Sequence, residues 1–255
     1  MTDTTETGLP RAIAIAWGMQ EVPQRGPSRG LSHERIVAAA IEIADAEGLQ
    51  AVTMQAVAKS LGFTTMSLYR YVSSKDELLR LMQDAATQLP ETIKLSSDWK
   101  KALTQWATMA REAYRAHPWV LSIPRGQISV LMPNSVRAAD AGLGALKNLG
   151  LDDATKVGVI LVVSQHVSAM VELELSLADE GEVPVTAEGV ELLGEVITAK
   201  RFPNIAGLMA HGNFVPAASD SGQQDDAAGV DDEFFLGLEL IISGLEVMAN
   251  SRAEG

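Results

Sequence analysis

Residues 32–82 read SHERIVAAAIEIADAEGLQAVTMQAVAKSLGFTTMSLYRYVSSKDELLRLM, and four helix starts stand in that one line. Ser32, Thr53, Thr64 and Ser74 each place a capping hydroxyl just ahead of a run with helical apolar spacing. Ile36, Val37, Ala40, Ile41 and Ala44 form the stripe of an amphipathic helix that Gly48 stops. The second helix, MQAVAKSL, turns Val57, Ala58 and Leu61 inward and ends at Gly62. The third, TTMSLYRY, is anchored by Leu68. The fourth, KDELLRLMQDAATQL, carries Asp76 and Glu77 in its first turn, where acids suit the helix dipole, and stops before Pro90.

Two short helices meeting at Gly62, the second polar outside and apolar inside, are the arrangement of a helix-turn-helix. There the first helix braces across the backbone and the second enters the major groove. Thr64, Thr65, Ser67 and Arg70 offer hydroxyls and a fork of donors to base edges, and Met66 offers contact to a thymine methyl. Tyr69 and Tyr71 offer hydroxyls to phosphates. Thr53, Gln55 and Lys75 stand at or beside helix N-termini, where amides and side chains clamp phosphate. Helix–glycine–helix spacing alone also fits a packed three-helix unit that never touches DNA.

The segment 36–82 resembles the DNA-binding domain of the tetracycline repressor (TetR) family, most specifically in LGFTTMSLYRYVSSKDELL: Gly62, the Leu68–Tyr69 pair, aromatic Tyr71, Val72, and Lys75 opening the next helix. The resemblance covers about residues 32–82. It implies that Thr53, Gln55, Thr65, Met66, Ser67, Tyr69, Arg70, Tyr71 and Lys75 fall on DNA-contacting positions. Arg70 stands where many members carry an aromatic, so base preference does not transfer. The resemblance further implies an all-α fold: a helix-turn-helix head (31–75) followed by a larger helical ligand-binding and dimerisation domain (76–255).

Charge is distributed to match. The chain carries a formal −13, which opposes indiscriminate nucleic-acid binding. Between Val22 and Lys75, however, six bases face four acids, a local +2 that leaves −15 for the remainder. Residues 1–30 read as a flexible arm: a short apolar piece, Ala12 to Trp17, precedes PQRGPSRG, whose Arg25 and Arg29 suit either a solvated linker or a minor-groove arm. The WG followed by a Pro/Arg/Gly stretch looks like the extended N-terminus of some family members.

Beyond residue 95 longer helices are expected at 98–116, 134–148, 152–179, 187–200 and 231–250, with short pieces near 118–123 and 203–210. The stretch GNFVPAASDSGQQDDAAGVDD, about 212–232, lacks periodicity and is expected to be disordered. Helix 152–179 is apolar on nearly every face up to Val171, and 231–250 carries a stripe of Phe234, Leu238, Ile241, Leu245 and Met248. Both suit either an ordinary buried helix or a helix shared with a partner chain. The resemblance favours the second: a homodimer joined through these two helices as a four-helix bundle, reading a near-palindromic DNA operator.

Trp106, Met109, Tyr114, Trp119, Met132, His166 and Met170 are the candidates to line a cavity for a small-molecule inducer. Side chains of this kind fill cores as readily as pockets. His166, a polar group on an apolar helix, needs a partner, whether a ligand, a side chain or water. The chain has no cysteine, and its four histidines (33, 117, 166, 211) fall in no metal-ligating spacing. No nucleophile motif or phosphate-binding glycine loop appears, so no cofactor, metal or catalysis is expected. The alternatives are a regulator without a small-molecule ligand and a helical enzyme. The N-terminus lacks a secretory pattern, and the longest apolar run, Val157 to Val163 once Gly158 is allowed, is far short of a membrane span. A soluble, cytoplasmic repressor is the expectation.

Overall fold

In a computed structural model the described residues, 8–19, 30–180, 187–210 and 226–253, are helical, with no strand among them. Contacts divide the chain into two units: Met1–Glu172 with Phe234–Gly255, and Leu173–Glu233. The second unit contains α10 (Ala187–Val196) and α11 (Ala206–Ala210), and its Leu192, Val196 and Phe202 are exposed.

The first unit opens with α1 (Arg11–Ala16), α2 (His33–Glu47), α3 (Met54–Leu61), α4 (Thr65–Leu68) and α5 (Lys75–Ala86). Each of the four expected caps is made. The side chains of Ser32, Thr53, Thr64 and Ser74 accept from the backbone N–H of Arg35, Ala56, Ser67 and Glu77. α6 (Trp99–Ala116) starts from Asp98, whose carboxylate accepts from Lys100 N at 2.9 Å. A short turn of 3-10 helix (Pro118–Ser122), α7 (Gln127–Val130), α8 (Pro133–Ala145), α9 (Asp153–Glu180) and α12 (Asp226–Ala253) follow, the last two running across the division between units.

Two apolar cores fill the first unit. One joins Ile13, Ile36, Val57, Leu68, Val72, Leu78 and Met82 to Trp119, Val120, Ile123 and Met132. The other gathers Leu103, Trp106, Leu146, Val163, Val167, Phe234 and Leu238. Gly142 lets α8 close on α6: a Cβ there would stand 2.8 Å from Trp106 Cε2 and 2.7 Å from Ile160 Cδ1.

Several elements depart from the sequence reading. Residues 8–19 are no flexible arm, because α1 buries Ala12, Ile13, Ala14 and Ile15. Arg25 and Arg29 lie outside the described residues. The third head helix is shorter than TTMSLYRY. After Leu68 both Tyr71 N and Val72 N return to the Leu68 carbonyl, closing a turn instead of extending the helix. The final helix begins at Asp226, within the stretch expected to be a disordered loop, while 212–225 lies outside the described residues. Finally, α9 and α12 are each long and apolar enough, by length and composition, to cross a membrane. Counting uninterrupted apolar residues misses this, because glycine, serine and glutamine break a run while costing the average little.

Candidate nucleic-acid interface

An eight-residue and a four-residue helix are too short to persist alone. α3 and α4 are held by what they bury: Val52, Met54, Val57, Ala58, Leu68 and Val72. Between them Gly62 adopts φ +75°, a left-handed conformation that a side chain would strain. Phe63 N then reaches back to the Ala58 carbonyl at 2.9 Å and closes the end of α3.

This turn lifts a mixed surface into solvent. Gln55, Lys59, Phe63, Thr64, Met66, Tyr69 and Arg70 are exposed, while Thr65, Ser67, Tyr71 and Lys75 are half-buried. Met66 is 75% exposed, an apolar side chain held in water at the tip of a rigid turn, as a thymine-methyl contact requires. Some of the expected contacts have structural work first. Thr53 Oγ1 accepts from Ala56 N at 3.0 Å. Thr64 Oγ1 accepts from Ser67 N at 3.3 Å and shares a hydrogen bond with Ser67 Oγ at 2.9 Å. Each hydroxyl keeps capacity for one more partner. Phe63 and Lys59 were not anticipated. Their signal was the position itself, one residue after and three before the turn glycine.

The turn from α4 to α5 is fixed from outside. Ser73 N and Oγ donate to the Glu77 carboxylate at 3.0 and 2.9 Å. Ser74 Oγ accepts from Glu77 N at 3.1 Å, so Glu77 holds the residue before the cap while the cap holds Glu77. Lys75 thus opens α5 at a defined place beside the exposed face of α4.

α5 runs from that face into the rest of the unit, where its last two turns are bolted by polar groups. Gln83 Nε2 donates to the Ile123 carbonyl at 3.2 Å, and Ser129 Oγ donates to Gln83 Oε1 at 3.0 Å. α8 has no side-chain cap of its own and begins with Pro133. Asp84 of α5 supplies one: Asn134 N donates to Asp84 Oδ1 at 2.9 Å and Asn134 Nδ2 to Oδ2 at 3.2 Å. Burial pushes the Asp84 carboxyl above the ordinary carboxylate range, against the hydrogen bonds from Asn134 and Ser135 that pull it down. With the folded value raised, the native state holds that proton more tightly. Its contribution to stability is complete below about pH 3.9 and is lost as pH rises through the folded value. Urea unfolding of the wild type should therefore lose ground to Asp84→Asn as pH climbs from about 4 to 7, and parallel pH profiles would contradict this. On α2, Asp45 Oδ1 accepts from both His117 Nδ1 at 2.8 Å and Trp119 Nε1 at 2.6 Å, a second tie between the head and the segment after α6.

The seven residues expected around a ligand do not come together. Trp119 and Met132 belong to the core shared with the head, and the Trp119 indole N–H is spent on Asp45. Trp106 is buried in the other core and donates to the Ala138 carbonyl at 2.8 Å, with Met109 and Met170 packed against that core. His166 has a side-chain-to-backbone partner, donating from Nε2 to the Phe234 carbonyl at 2.9 Å. Tyr114 alone of the seven lines a described cavity, about 70 Å³, with Thr87, Leu89, Asn134 and Ala138. A second cavity, about 680 Å³, opens on the far side of α8 among Ile93, Leu95, Trp99, Arg137, Asp140 and Lys147. Sequence reading missed it because the 91–99 segment has no periodicity.

Comparison with known proteins agrees with this geometry. The pattern of the bacterial regulatory proteins of the tetR family matches residues 36–82, and that of the tetracyclin repressor-like C-terminal domain matches residues 92–249, more than half of the chain. The chain belongs to the TetR family. It is 33% identical over 261 residues to the HTH-type transcriptional repressor DrrR1 of Streptomyces coeruleorubidus, covering 98% of this chain and 91% of that protein. An HTH-type transcriptional regulator of Saccharopolyspora erythraea is 27% identical over 233 residues, covering 89% and 94%. The TetR-family protein ActR of Streptomyces coelicolor, solved with actinorhodin, superposes with a TM-score of 0.66 at 28% identity, covering 86% of this chain and 99% of ActR. ActR bound to (S)-DNPA gives 0.65 at 27%, covering 85% and 98%. The curated relatives are HTH-type transcriptional repressors and regulators, and the chain is a DNA-binding transcriptional regulator of the TetR family.

Proposed function

We propose that this chain is a homodimeric, cytoplasmic transcriptional repressor that holds a palindromic operator through two helix-turn-helix heads and is released by a small molecule bound among its C-terminal helices. The observation that carries the reading is the rigid, glycine-turned projection of Met66, Tyr69 and Arg70 from a fully packed head. The exposed rows Val157, Leu161 and Val162 on α9, and Leu236, Leu240 and Val247 on α12, supply the apolar faces that a second copy would cover. Two such faces per chain are what a symmetric four-helix contact requires. The same covering accounts for their membrane-like composition without a membrane.

For the inducer, the 680 Å³ cavity has the size of a drug-sized ligand site and the 70 Å³ one does not. A molecule wedged between the 91–99 segment and α8 would act on the helix whose N-terminus Asp84 caps, and so on α5 and the head. ActR's crystallographic partners make actinorhodin and (S)-DNPA the first ligands to try. Release requires only that the ligand favour the head separation that does not fit DNA.

The test is operator binding followed by anisotropy on a duplex that the full-length protein selects from a randomised pool. Lys75→Ala should weaken binding and lower the slope of log affinity against log salt by about 1, as expected for one lost phosphate contact. An unchanged slope removes Lys75 from the interface, and absence of any selected duplex removes the proposal.

A further inference from the structure

We infer that the N-terminal helix α1 is a clasp that sets the DNA-reading turn, with Arg11 as its positioning residue. Arg11 reaches two acceptors at once: Nη2 donates to the Tyr71 carbonyl at 3.0 Å, and Nη1 lies 3.4 Å from Glu77 Oε1. Glu77 is 6% exposed and holds Ser73 by both its amide and its hydroxyl. The Tyr71 carbonyl takes a second donor, His33 Nε2 at 2.9 Å, and the His33 ring meets the Tyr71 ring edge-on at 5.7 Å. The turn that carries Tyr69, Tyr71 and Lys75 is thus shaped by groups from α1, α2 and α5.

The clasp has another hand. Ile13 and Ile15 are buried in the core that joins Ile36 and Leu78 to Trp119, Ile123 and Met132, and Trp17 Nε1 donates to the Leu131 carbonyl at 2.9 Å. Leu131 stands two residues before α8, the helix whose N-terminus Asp84 caps. One short helix therefore grips the reading turn and the approach to α8 together. It lies ahead of residue 36, where the match to the family's head pattern begins. A guanidinium suits the post, because its fork bridges a carbonyl and a carboxylate that a single ammonium cannot hold in the same geometry.

This inference rests on the DNA-reading role of the head, and its test separates the two. Arg11→Ala, Arg11→Lys and Trp17→Phe are compared with wild type on the selected duplex across salt, alongside amide hydrogen exchange. Arg11→Ala is expected to weaken the duplex complex about tenfold, the cost of lost charge-assisted hydrogen bonds. The salt slope should stay unchanged, and the Ser73 amide should exchange at least tenfold faster while α6 amides hold. Arg11→Lys should recover part of both losses. Trp17→Phe, which removes only one bond of an exposed side chain, should weaken binding by a few-fold at constant slope and serves if Arg11→Ala does not fold. Unchanged affinity, unchanged Ser73 exchange, or a slope lowered by about 1, which would make Arg11 a phosphate contact, overturns the clasp. If the wild type selects no duplex, the repressor reading fails, while Ser73 exchange still decides the clasp.

Discussion

Replacing Phe234 with alanine is expected to lower the stability of the folded chain by about 3–5 kcal/mol, the range for a buried aromatic truncated in a core. Phe234 is wholly buried and is contacted on several sides. The His166 ring stacks on it at 5.5 Å and 12°, Phe235 meets it edge-on at 5.2 Å, and the Arg111 guanidinium carbon sits 4.3 Å from its centroid. Stacking and cation–π contacts of this kind add to area burial. At about 2–4 °C per kcal/mol for a chain this size, the melting temperature should fall by roughly 6–20 °C. Phe234→Leu keeps most of the volume and should cost less than half as much. A loss under about 1 kcal/mol for alanine would mean that the α9–α12 contact is not what fixes the last helix. Gly237, one turn on, leaves no room for a Cβ under the His166 ring, so the same junction is tight on both sides.

That junction also shows how far the sequence can be read. The head was legible almost completely: a cap is a local event, and the hydroxyls of Ser32, Thr53, Thr64 and Ser74 meet amides three residues on. Gly62 and Asp98 punctuate helices by equally local chemistry. α1 was not legible. It is six residues long, is preceded by Pro10 and has no side-chain cap. The groups that hold it, Tyr71 and Glu77, come from more than fifty residues away. The start of α12 was misread because Asp226, Asp231 and Asp232 look like a solvated loop in a linear string, whereas acids are also favourable near a helix N-terminus. The seven candidate pocket residues are dispersed for another reason. Composition marks Trp119 and Met132 as buried but cannot say in which of two cores, and that assignment decides whether a side chain faces a ligand or the head. His166 needed a partner, as its isolation on an apolar helix implied, and the partner is the Phe234 carbonyl.

If two copies pair through α12 as proposed, placing a carboxylate at two points of its exposed row, Leu240→Glu with Val247→Glu, should separate them and abolish tight operator binding. Both side chains point away from the core, at 67% and 66% exposure, so a lone folded chain would tolerate the change within the usual surface range. In a two-fold contact each new charge is duplicated by symmetry, and four carboxylates would be forced into one desolvated seam. Light scattering should then report the mass of one chain. The operator complex should weaken by on the order of 10²–10⁴-fold, because the second head no longer binds as a tethered partner of the first. Salt dependence should fall together with affinity, since half of the phosphate contacts are lost. This pattern distinguishes loss of pairing from damage to a head, which Lys75→Ala would mimic with a slope change of about 1 in an intact dimer. A double variant that still runs as a dimer at full operator affinity would show that the α12 row is covered by something other than a second copy.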